Sequence, residues 1–213
     1  MTPPVSPVSH LARERLLHTA LRLFAKRGYT KTSVREIAEA AQTNIASISY
    51  YFGDKAGLYR AAFLEPNGCE VTPELLPPPE ASARTVLAFF IEAFIAPLRQ
   101  GEMAELSMKL RLREMLEPTG LWQEEIDQGI RPMHDALVAR IVQWAQVPEA
   151  TQDIHALAIS IGALGVHLHV GRDVMNAIDR RLTAHDAWDG WRDRFVNYAC
   201  AMIQAEFPSA KLD

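Results

Sequence analysis

Residues 28–58 read GYTKTSVREIAEAAQTNIASISYYFGDKAGL, and the amphipathic run RERLLHTALRLFAKR precedes them at 13–27. Gly28 suits the position that follows a helix C-terminus, because glycine adopts positive φ without a steric cost. Ser33, followed three residues later by Glu36, is a capping box in which each side chain bonds the other residue's backbone. The stretch therefore predicts several short helices with defined ends.

Further N-cap residues divide this region. Asn44 and Asp54 each precede a segment with helical spacing of apolar residues, and Ser9 can cap the first helix. A tight turn through Gln42 and Thr43 separates the second helix from the third. The helices predicted from these signals cover residues 9–27, 34–41, 44–52 and 55–64.

The second and third of these helices suit a helix-turn-helix, in which one helix crosses the DNA backbone and the next enters the major groove. The hydroxyls of Thr32 and Ser33, with the free amides of the first turn, predict an anion site. Ile48 and Phe52, four residues apart, hold the third helix against its domain. Its outward side chains project little and permit close approach to base edges; they are Ile45, Ala46, Ser47 and Ser49.

Three more side chains extend this surface. Tyr50 and Tyr51 combine an apolar ring with a hydroxyl that can reach a phosphate, and Lys55 adds a positive charge. Each also has a plainer interpretation, since tyrosines pack in cores and exposed serines and lysines are common. The ordered combination is what makes the prediction specific.

The charge is distributed unevenly along the chain. Residues 1–60 contain nine Lys or Arg against four acidic residues, whereas 61–213 contain thirteen basic and 22 acidic residues. A basic end on an acidic body fits binding of a polyanion by that end, although a chance imbalance on solvated helices remains an alternative.

The bulk composition is that of a soluble globular protein, with 213 residues, 48% of them hydrophobic and 23% charged. The longest apolar stretch, 156–170, is interrupted by glycine and histidine, so we expect no membrane segment. Residues 1–8 are predicted to be disordered and lack the features of a secretory signal. Cys69 and Cys200 form no pattern, and a cytoplasmic location is expected.

The rest of the chain also has a helical pattern, so the predicted fold is all-α. A connector at 65–80 contains five prolines and separates a domain at 9–60 from a larger one at 61–213. Pro132 is expected to kink or break the helix that contains it. The helices predicted beyond the connector cover residues 81–99, 102–116, 120–146, 150–176 and 185–206.

The N-terminal stretch resembles the DNA-binding domain of the TetR family of bacterial transcriptional regulators. The resemblance covers roughly residues 12–60 and includes Arg15-Leu16-Leu17, Ala20, Leu23-Phe24, Gly28-Tyr29, Thr32 to Ala38, Ala41, Ile48, Tyr51-Phe52, Lys55 and Leu58-Tyr59. It implies a homodimer that binds double-stranded DNA at a palindromic operator, usually as a repressor released by a small molecule. It also implies phosphate contacts from Thr32, Ser33, Tyr50, Tyr51 and Lys55, and base contacts from Asn44 to Ser49.

Two residues depart from the family pattern. Gln42 stands where the family usually has glycine, and a non-glycine residue with positive φ costs about 1 kcal/mol. Ser49 stands where tyrosine is frequent, which changes the surface that faces the groove. The C-terminal part resembles the corresponding domain of the CecR-like subgroup, through segments 110–120, 130–141 and 159–174.

An effector pocket is expected to be an apolar cavity with a few polar groups, which favours a small apolar or aromatic ligand. The candidate lining residues are Phe90, Phe94, Met108, Leu112, Trp122, His134, His167 and His169, although such residues more often form the core. His167 and His169 lie about 200° apart on a helix and cannot share one metal ion, so no metal or other cofactor is expected. Arg111 with Glu114, and Arg113 with Glu117, are predicted surface ion pairs.

The last two long helices are predicted to form a dimer interface, because they carry a stripe of aromatic and small residues. The residues are Ala158, Gly162, Gly165, Trp188, Trp191, Phe195, Tyr198 and Met202. The alternative is that this stripe packs inside one subunit.

The functional hypothesis is a ligand-responsive, DNA-binding repressor. One alternative is an all-α small-molecule-binding protein or enzyme, but the chain contains no nucleophile elbow, HExxH or phosphate loop. A second alternative is a helix-turn-helix module that binds proteins, and the basic charge of residues 1–60 argues against it.

Overall fold

A computed structural model describes residues 7–65 and 72–212 of the chain. Within these ranges the chain is helical and contains no β-strand, which confirms the predicted all-α class. The eleven α-helices of these ranges are α1 Pro7–Arg27, α2 Val34–Ala40, α3 Ile45–Phe52, α4 Lys55–Leu64, α5 Ala83–Gln100, α6 Glu102–Leu116, α7 Leu121–Glu125, α8 Arg131–Ala145, α9 Gln152–Val170, α10 Arg172–Ile178 and α11 Ala187–Glu206.

The predicted N-terminal segment and the predicted connector are each only partly covered by the described residues. Of the segment 1–8, residues 1–6 lie outside the described residues, whereas Pro7 and Val8 are the first residues of α1. Ser9 lies inside α1, so its prediction as an N-cap is wrong. Of the connector 65–80, residues 66–71 also lie outside the described ranges, and the described remainder contains a 3₁₀ turn at Pro73–Leu75 and no α-helix.

The chain forms two compact units. The N-terminal unit comprises Met1–Gly68 with Gln100–Trp122, and the C-terminal unit comprises Cys69–Arg99 with Gln123–Asp213. This differs from the predicted division at residue 60, because α6 packs against α1 and α4 and its Leu110 is fully buried there.

The N-terminal unit has a core built from one face of each of its helices. Leu16, Ala20 and Phe24 of α1 fall at helical spacing and are fully buried. They pack with side chains of the other helices, notably Ile37, Ile48, Leu58 and Phe63. They lie on the apolar side of the amphipathic run at 13–27, on which Leu23 is half-buried, and this cluster fixes α2 and α3 on the unit's surface.

The turn between α2 and α3 has the positive φ that the sequence predicted. Gln42 has φ 53°, and its amide donates to the carbonyl of Glu39 at 3.0 Å. The Thr43 amide donates to the carbonyl of Ala38 at 2.9 Å, which completes a Schellman motif. A glutamine therefore occupies a left-handed position that glycine occupies at lower energy.

We expect Gln42→Gly to raise the free energy of unfolding by about 0.5–1 kcal/mol, because it removes the steric cost of positive φ. Urea unfolding followed by circular dichroism measures the change. Gln42→Ala is the matched control and should give no gain, since alanine keeps the Cβ. Equal stability of the two variants would show that the turn stores no strain.

Two long predicted helices are interrupted. The predicted helix 120–146 contains α7, a π-helical turn at Ile126–Ile130, and α8, with Pro132 in the first turn of α8. Proline has no N–H to donate and its ring crowds the preceding helical turn, and the wider π-helical turn directly before it accommodates both effects. The predicted helix 150–176 is divided at Gly171 into α9 and α10.

The core of the C-terminal unit combines α5, α8, α9 and α11. Its largest fully buried side chain is Trp188 of α11, at 1% exposure. Gly165 of α9 lies against Phe94 of α5, and a Cβ at Gly165 would be 2.3 Å from the Phe94 ring. Close packing of α5 and α9 therefore depends on the absence of a side chain at Gly165.

The helix α9 is, by length and composition alone, apolar enough to cross a membrane. This differs from the expectation of no membrane segment, which was based on the stretch 156–170. The helix begins four residues earlier, at Gln152. A core helix of a folded domain meets the same criterion, and α9 buries one face, from Ile154 to Leu168, inside the C-terminal unit.

Candidate nucleic-acid interface

The third helix presents an exposed face above a buried anchor. Asn44 caps α3, since its Oδ1 accepts from the Ala46 amide at 2.9 Å. Ile48 is only 2% exposed, whereas Ile45 and Tyr50 are 48% and 80% exposed. The helix is thus fixed on one side and open on the other.

The residues predicted to contact DNA mostly lie on this open side. Ser47, Tyr51 and Lys55 are half-buried. Those that are exposed are Ser33, Asn44, Ile45, Ala46, Ser49 and Tyr50. Apart from Thr32, the predicted set therefore reaches the surface of the same unit.

The capping box that begins α2 is confirmed. The Glu36 amide donates to the Ser33 Oγ at 3.1 Å, and the Ser33 amide donates to the Glu36 carboxylate at 3.0 Å. The Ser33 amide and the Ser33 hydroxyl both donate to the Glu36 carboxylate and, with the nearby Arg27 guanidinium, hold the pKa of Glu36 below its usual range. The Ser33 hydroxyl is itself part of the box, because it also donates to the Glu36 carboxylate at 3.0 Å, although Ser33 remains exposed.

The predicted phosphate contact from the Thr32 hydroxyl is wrong. Thr32 is 1% exposed, and its Oγ1 donates to the Gly28 carbonyl at 2.8 Å. This bond ties the loop after α1 to the start of α2. Sequence spacing placed Thr32 correctly at the helix start but could not tell an inward hydroxyl from an outward one.

Lys55 has a partner that the sequence did not indicate. Its Nζ lies 4.3 Å from the centroid of the Tyr29 ring, which is cation–π geometry. The two residues are far apart in sequence and meet only because α1 and α4 pack together. Tyr29 thereby restricts the Lys55 side chain at the edge of the α3 surface.

Arg13 is a second residue that sequence reasoning missed. Its guanidinium lies 5.0 Å from the Phe52 ring centroid and makes two hydrogen bonds to the Glu65 carboxylate, at 2.9 and 2.6 Å. Arg13 thus links α1 to the last residue of α3. Only the positive charge of Arg13 was visible in the sequence.

A buried polar cluster lies elsewhere in the same unit. The Glu114 carboxylate is fully buried and accepts from the Tyr59 hydroxyl at 2.6 Å. Burial and this carboxylate raise the pKa of Tyr59 well above its usual range. The predicted surface pairing of Glu114 with Arg111 is therefore wrong, whereas the Arg113–Glu117 pair is present at 3.1 Å.

The effector-pocket candidates do not share one unit. Met108, Leu112 and Trp122 belong to the N-terminal unit, and the other five belong to the C-terminal unit. There, Phe90 is a core residue, and the His169 Nε2 lies 2.8 Å from the Phe94 carbonyl oxygen. His134 bonds instead to His155, with 2.9 Å between Nε2 and Nδ1, while His167 lies near Gly171.

Two depressions on the described surface contain none of the candidate pocket residues. One, of about 410 Å³, is on the N-terminal unit and is lined by Arg27, Tyr29, Thr30, Lys31 and residues 117–119. The other, of about 360 Å³, is on the C-terminal unit beside Trp191 and Tyr198. The effector pocket lined by these residues stays a prediction.

Half of the predicted dimer residues belong to the core of the subunit itself. The prediction is wrong for Ala158, Gly165, Trp188 and Phe195, which are all buried in the C-terminal unit. A helical stripe does not distinguish an internal face from an external one. Trp191 is half-buried and donates to the Leu182 carbonyl at 2.8 Å; the remaining accessible residues are Gly162, Tyr198 and Met202.

The described residues thus define a class: an all-helical protein with a capped helix-turn-helix on one compact unit and a second, larger helical unit. Two family models match the chain. One, described as bacterial regulatory proteins of the tetR family, covers residues 16–62. The other, described as the C-terminal domain of the HTH-type transcriptional dual regulator CecR, covers residues 83–205, more than half of the chain. The chain belongs to the TetR family of bacterial regulatory proteins, with a C-terminal domain of the CecR type.

Individual relatives agree with this assignment. The chain is 32% identical over 146 residues to the HTH-type transcriptional dual regulator CecR of Shigella flexneri; the match covers 62% of the chain and 64% of that relative, under two thirds of its length. A tetR-family regulatory protein from Rhodococcus RHA1 has the same fold, with a TM-score of 0.68 at 20% identity over 90% of the chain and 96% of that protein. A SmeT–triclosan complex has a TM-score of 0.58 at 18% identity over 94% and 92% of the two chains.

Proposed function

We propose that the chain is a cytoplasmic transcriptional repressor that binds a palindromic operator in double-stranded DNA as a homodimer and is released by a small apolar or aromatic effector. The observation that carries the proposal is the exposed face of α3. That face lies above the buried Ile48 anchor, on the basic end of the chain. The family of transcriptional regulators to which the chain belongs supports the same function.

The chemistry of α3 suits the major groove. Small side chains at Ala46 and Ser49 allow the helix backbone close to base edges, and the Ser49 hydroxyl can donate or accept there. Tyr50 and Lys55 flank this surface and suit contacts to phosphate, which position the helix without reading sequence. In this proposal α3 supplies specificity and the flanking residues supply much of the affinity.

The proposed dimer fits the geometry of DNA. Two copies of α3 reach successive major grooves only if they lie about 34–36 Å apart, which a two-fold axis provides. We place the dimer contact on the outer side of α9, where Ile159 is 61% exposed and Val170 is 60% exposed. Gly162 lies between them, and Tyr198 adds an exposed ring on α11. An apolar face of this kind is typical of a subunit interface.

The proposed effector acts by shifting a population. It favours a form in which the two α3 helices no longer match successive grooves, so effector and operator weaken each other's binding reciprocally. SmeT, which shares the fold, is described in complex with triclosan, a small aromatic compound. A ligand of this class, held within the helical C-terminal unit, is the corresponding proposal for this chain.

A fluorescence anisotropy titration on DNA fragments around the chain's own gene tests the function. We expect one fragment to bind much more tightly than an unrelated fragment of the same length at moderate salt. Footprinting of that fragment should show two protected half-sites related by a two-fold axis. Equal affinity for all fragments would contradict a sequence-specific regulator.

We expect Ser49→Ala to change which bases the protein prefers while leaving its affinity for nonspecific DNA within about twofold, because the hydroxyl faces base edges rather than phosphate. Binding to a library of randomised half-sites measures the preference. Ser47→Ala should act in the same direction but less strongly, since Ser47 is half-buried. The exposed Ser209→Ala is the control. An unchanged preference in both α3 variants would show that base readout lies elsewhere.

A further inference from the structure

The N-terminal unit contains a buried carboxylate whose two oxygens are bonded to two different segments. Glu114 lies near the end of α6 and is fully buried. Its Oε2 accepts from the Tyr59 hydroxyl of α4 at 2.6 Å. Its Oε1 accepts from the amide and the hydroxyl of Thr119, at 2.6 and 2.9 Å.

Such an arrangement is costly unless the hydrogen bonds are all formed. A carboxylate that leaves water must recover its lost hydration from neighbouring donors, and three donors supply it here. The Tyr59 hydroxyl is therefore held at one position and in one orientation. The bonds to Thr119 hold the segment after α6, which lines the depression beside Tyr29 and Lys31.

The Tyr59 ring packs against other aromatic rings that lead towards the surface proposed to face DNA. It meets Phe24 edge-on at 4.9 Å between centroids and Tyr29 at 5.0 Å, with 69° between the planes of the two tyrosines. The Tyr29 ring in turn carries the Lys55 ammonium at 4.3 Å from its centroid. A continuous series of contacts thus runs from the buried Glu114 to the half-exposed Lys55.

We infer that Glu114 is a positioning residue for DNA binding: through Tyr59 and Tyr29 it holds Lys55 where the ammonium group meets a DNA phosphate. The inference rests on the proposed function and adds a residue of α6 that contributes to affinity without touching DNA. Loss of the Tyr59–Glu114 bond leaves the rings free to shift. The Lys55 side chain is then less ordered before binding and loses more conformational entropy when it contacts phosphate.

Tyr59→Phe tests the inference, because it removes the hydroxyl and keeps the ring. We expect operator affinity to fall about fivefold, within the range of coupling measured between residues in contact. In a Lys55→Ala background the same substitution should have no further effect on affinity. Glu114→Gln should resemble Tyr59→Phe, since a neutral amide accepts more weakly than a carboxylate and places an NH₂ group beside other donors.

Thr119→Val perturbs the same cluster from its other side. The Thr119 hydroxyl bonds Glu114 and also reaches the Tyr59 hydroxyl, so we expect a lower melting temperature and a smaller loss of operator affinity than in Tyr59→Phe. Melting curves of every variant separate loss of folding from loss of binding.

Two results would overturn the inference. The first is a Tyr59→Phe effect that is equally large with and without Lys55, which would indicate a general loss of structure. The second is unchanged affinity in Tyr59→Phe while the unmodified chain binds its operator, which leaves the proposed function intact. If the unmodified chain binds no DNA fragment selectively, the proposed function fails and this inference fails with it.

Discussion

Gly165→Ala is expected to lower the free energy of unfolding by about 3 kcal/mol, the upper end of the usual cost of overpacking a core. A methyl group at this position would lie 2.3 and 2.4 Å from two ring atoms of Phe94 and 2.8 Å from its Cβ. These atoms lie at the base of the side chain, so a change of ring rotamer alone does not relieve the overlap. The helices α5 and α9 must separate instead. Urea unfolding of the C-terminal unit measures the loss.

Gly162→Ala is the matched control, one turn earlier on the same helix. A Cβ at Gly162 would meet no atom within 4 Å in the described part of the chain. Alanine in a helix interior is favoured over glycine by about 0.5–1 kcal/mol, so the subunit itself should become slightly more stable. If α9 forms the proposed dimer contact, the same methyl group should weaken dimerisation in sedimentation experiments. Equal destabilisation by the two variants would contradict the packing of Gly165 on Phe94.

The sequence predicted the helices of the N-terminal unit well because their ends are encoded locally. The capping box of Ser33 and Glu36, the caps Asn44 and Asp54, and the positive φ of Gln42 are all present. Each of these features depends on residues no more than a few positions apart. Local rules therefore sufficed for this part of the fold.

Features that depend on distant residues were not predictable in the same way. The membership of α6 in the N-terminal unit rests on the burial of Leu110, and the environment of Glu114 rests on Tyr59, which lies on another helix. Likewise, the apolar stripe of α11 was visible, but Trp188 and Phe195 face inward and Tyr198 outward. Periodicity identifies an apolar face without identifying what covers it.

In the candidate interface, too, some features were predictable from local sequence and others were not. The exposed positions from Asn44 to Tyr50 were predictable, since Ile48 defines the inner side of a regular helix. Thr32 was not, because its hydroxyl turns inward to the Gly28 carbonyl. Tyr29 was part of the family resemblance, yet its contact with Lys55 required the packing of α1 on α4.

The second large effect concerns Lys55. We expect Lys55→Ala to weaken binding to every DNA sequence by roughly 30-fold, since a dimer loses two charge-assisted phosphate contacts worth about 1 kcal/mol each. The plot of log affinity against log salt concentration should become less steep by about 1.8, or 0.9 for each phosphate lost. Affinity measured at several salt concentrations on operator and nonspecific DNA gives both quantities.

Lys109→Ala is the matched control for this variant, because Lys109 is an exposed lysine on α6 in the same compact unit. It removes the same charge from the chain, so any effect of net charge alone should appear equally in both variants. A salt dependence that changes equally in the two would assign the effect to the overall field rather than to a phosphate contact. A loss confined to the operator would instead place Lys55 on a base edge, since phosphate contacts carry no sequence information.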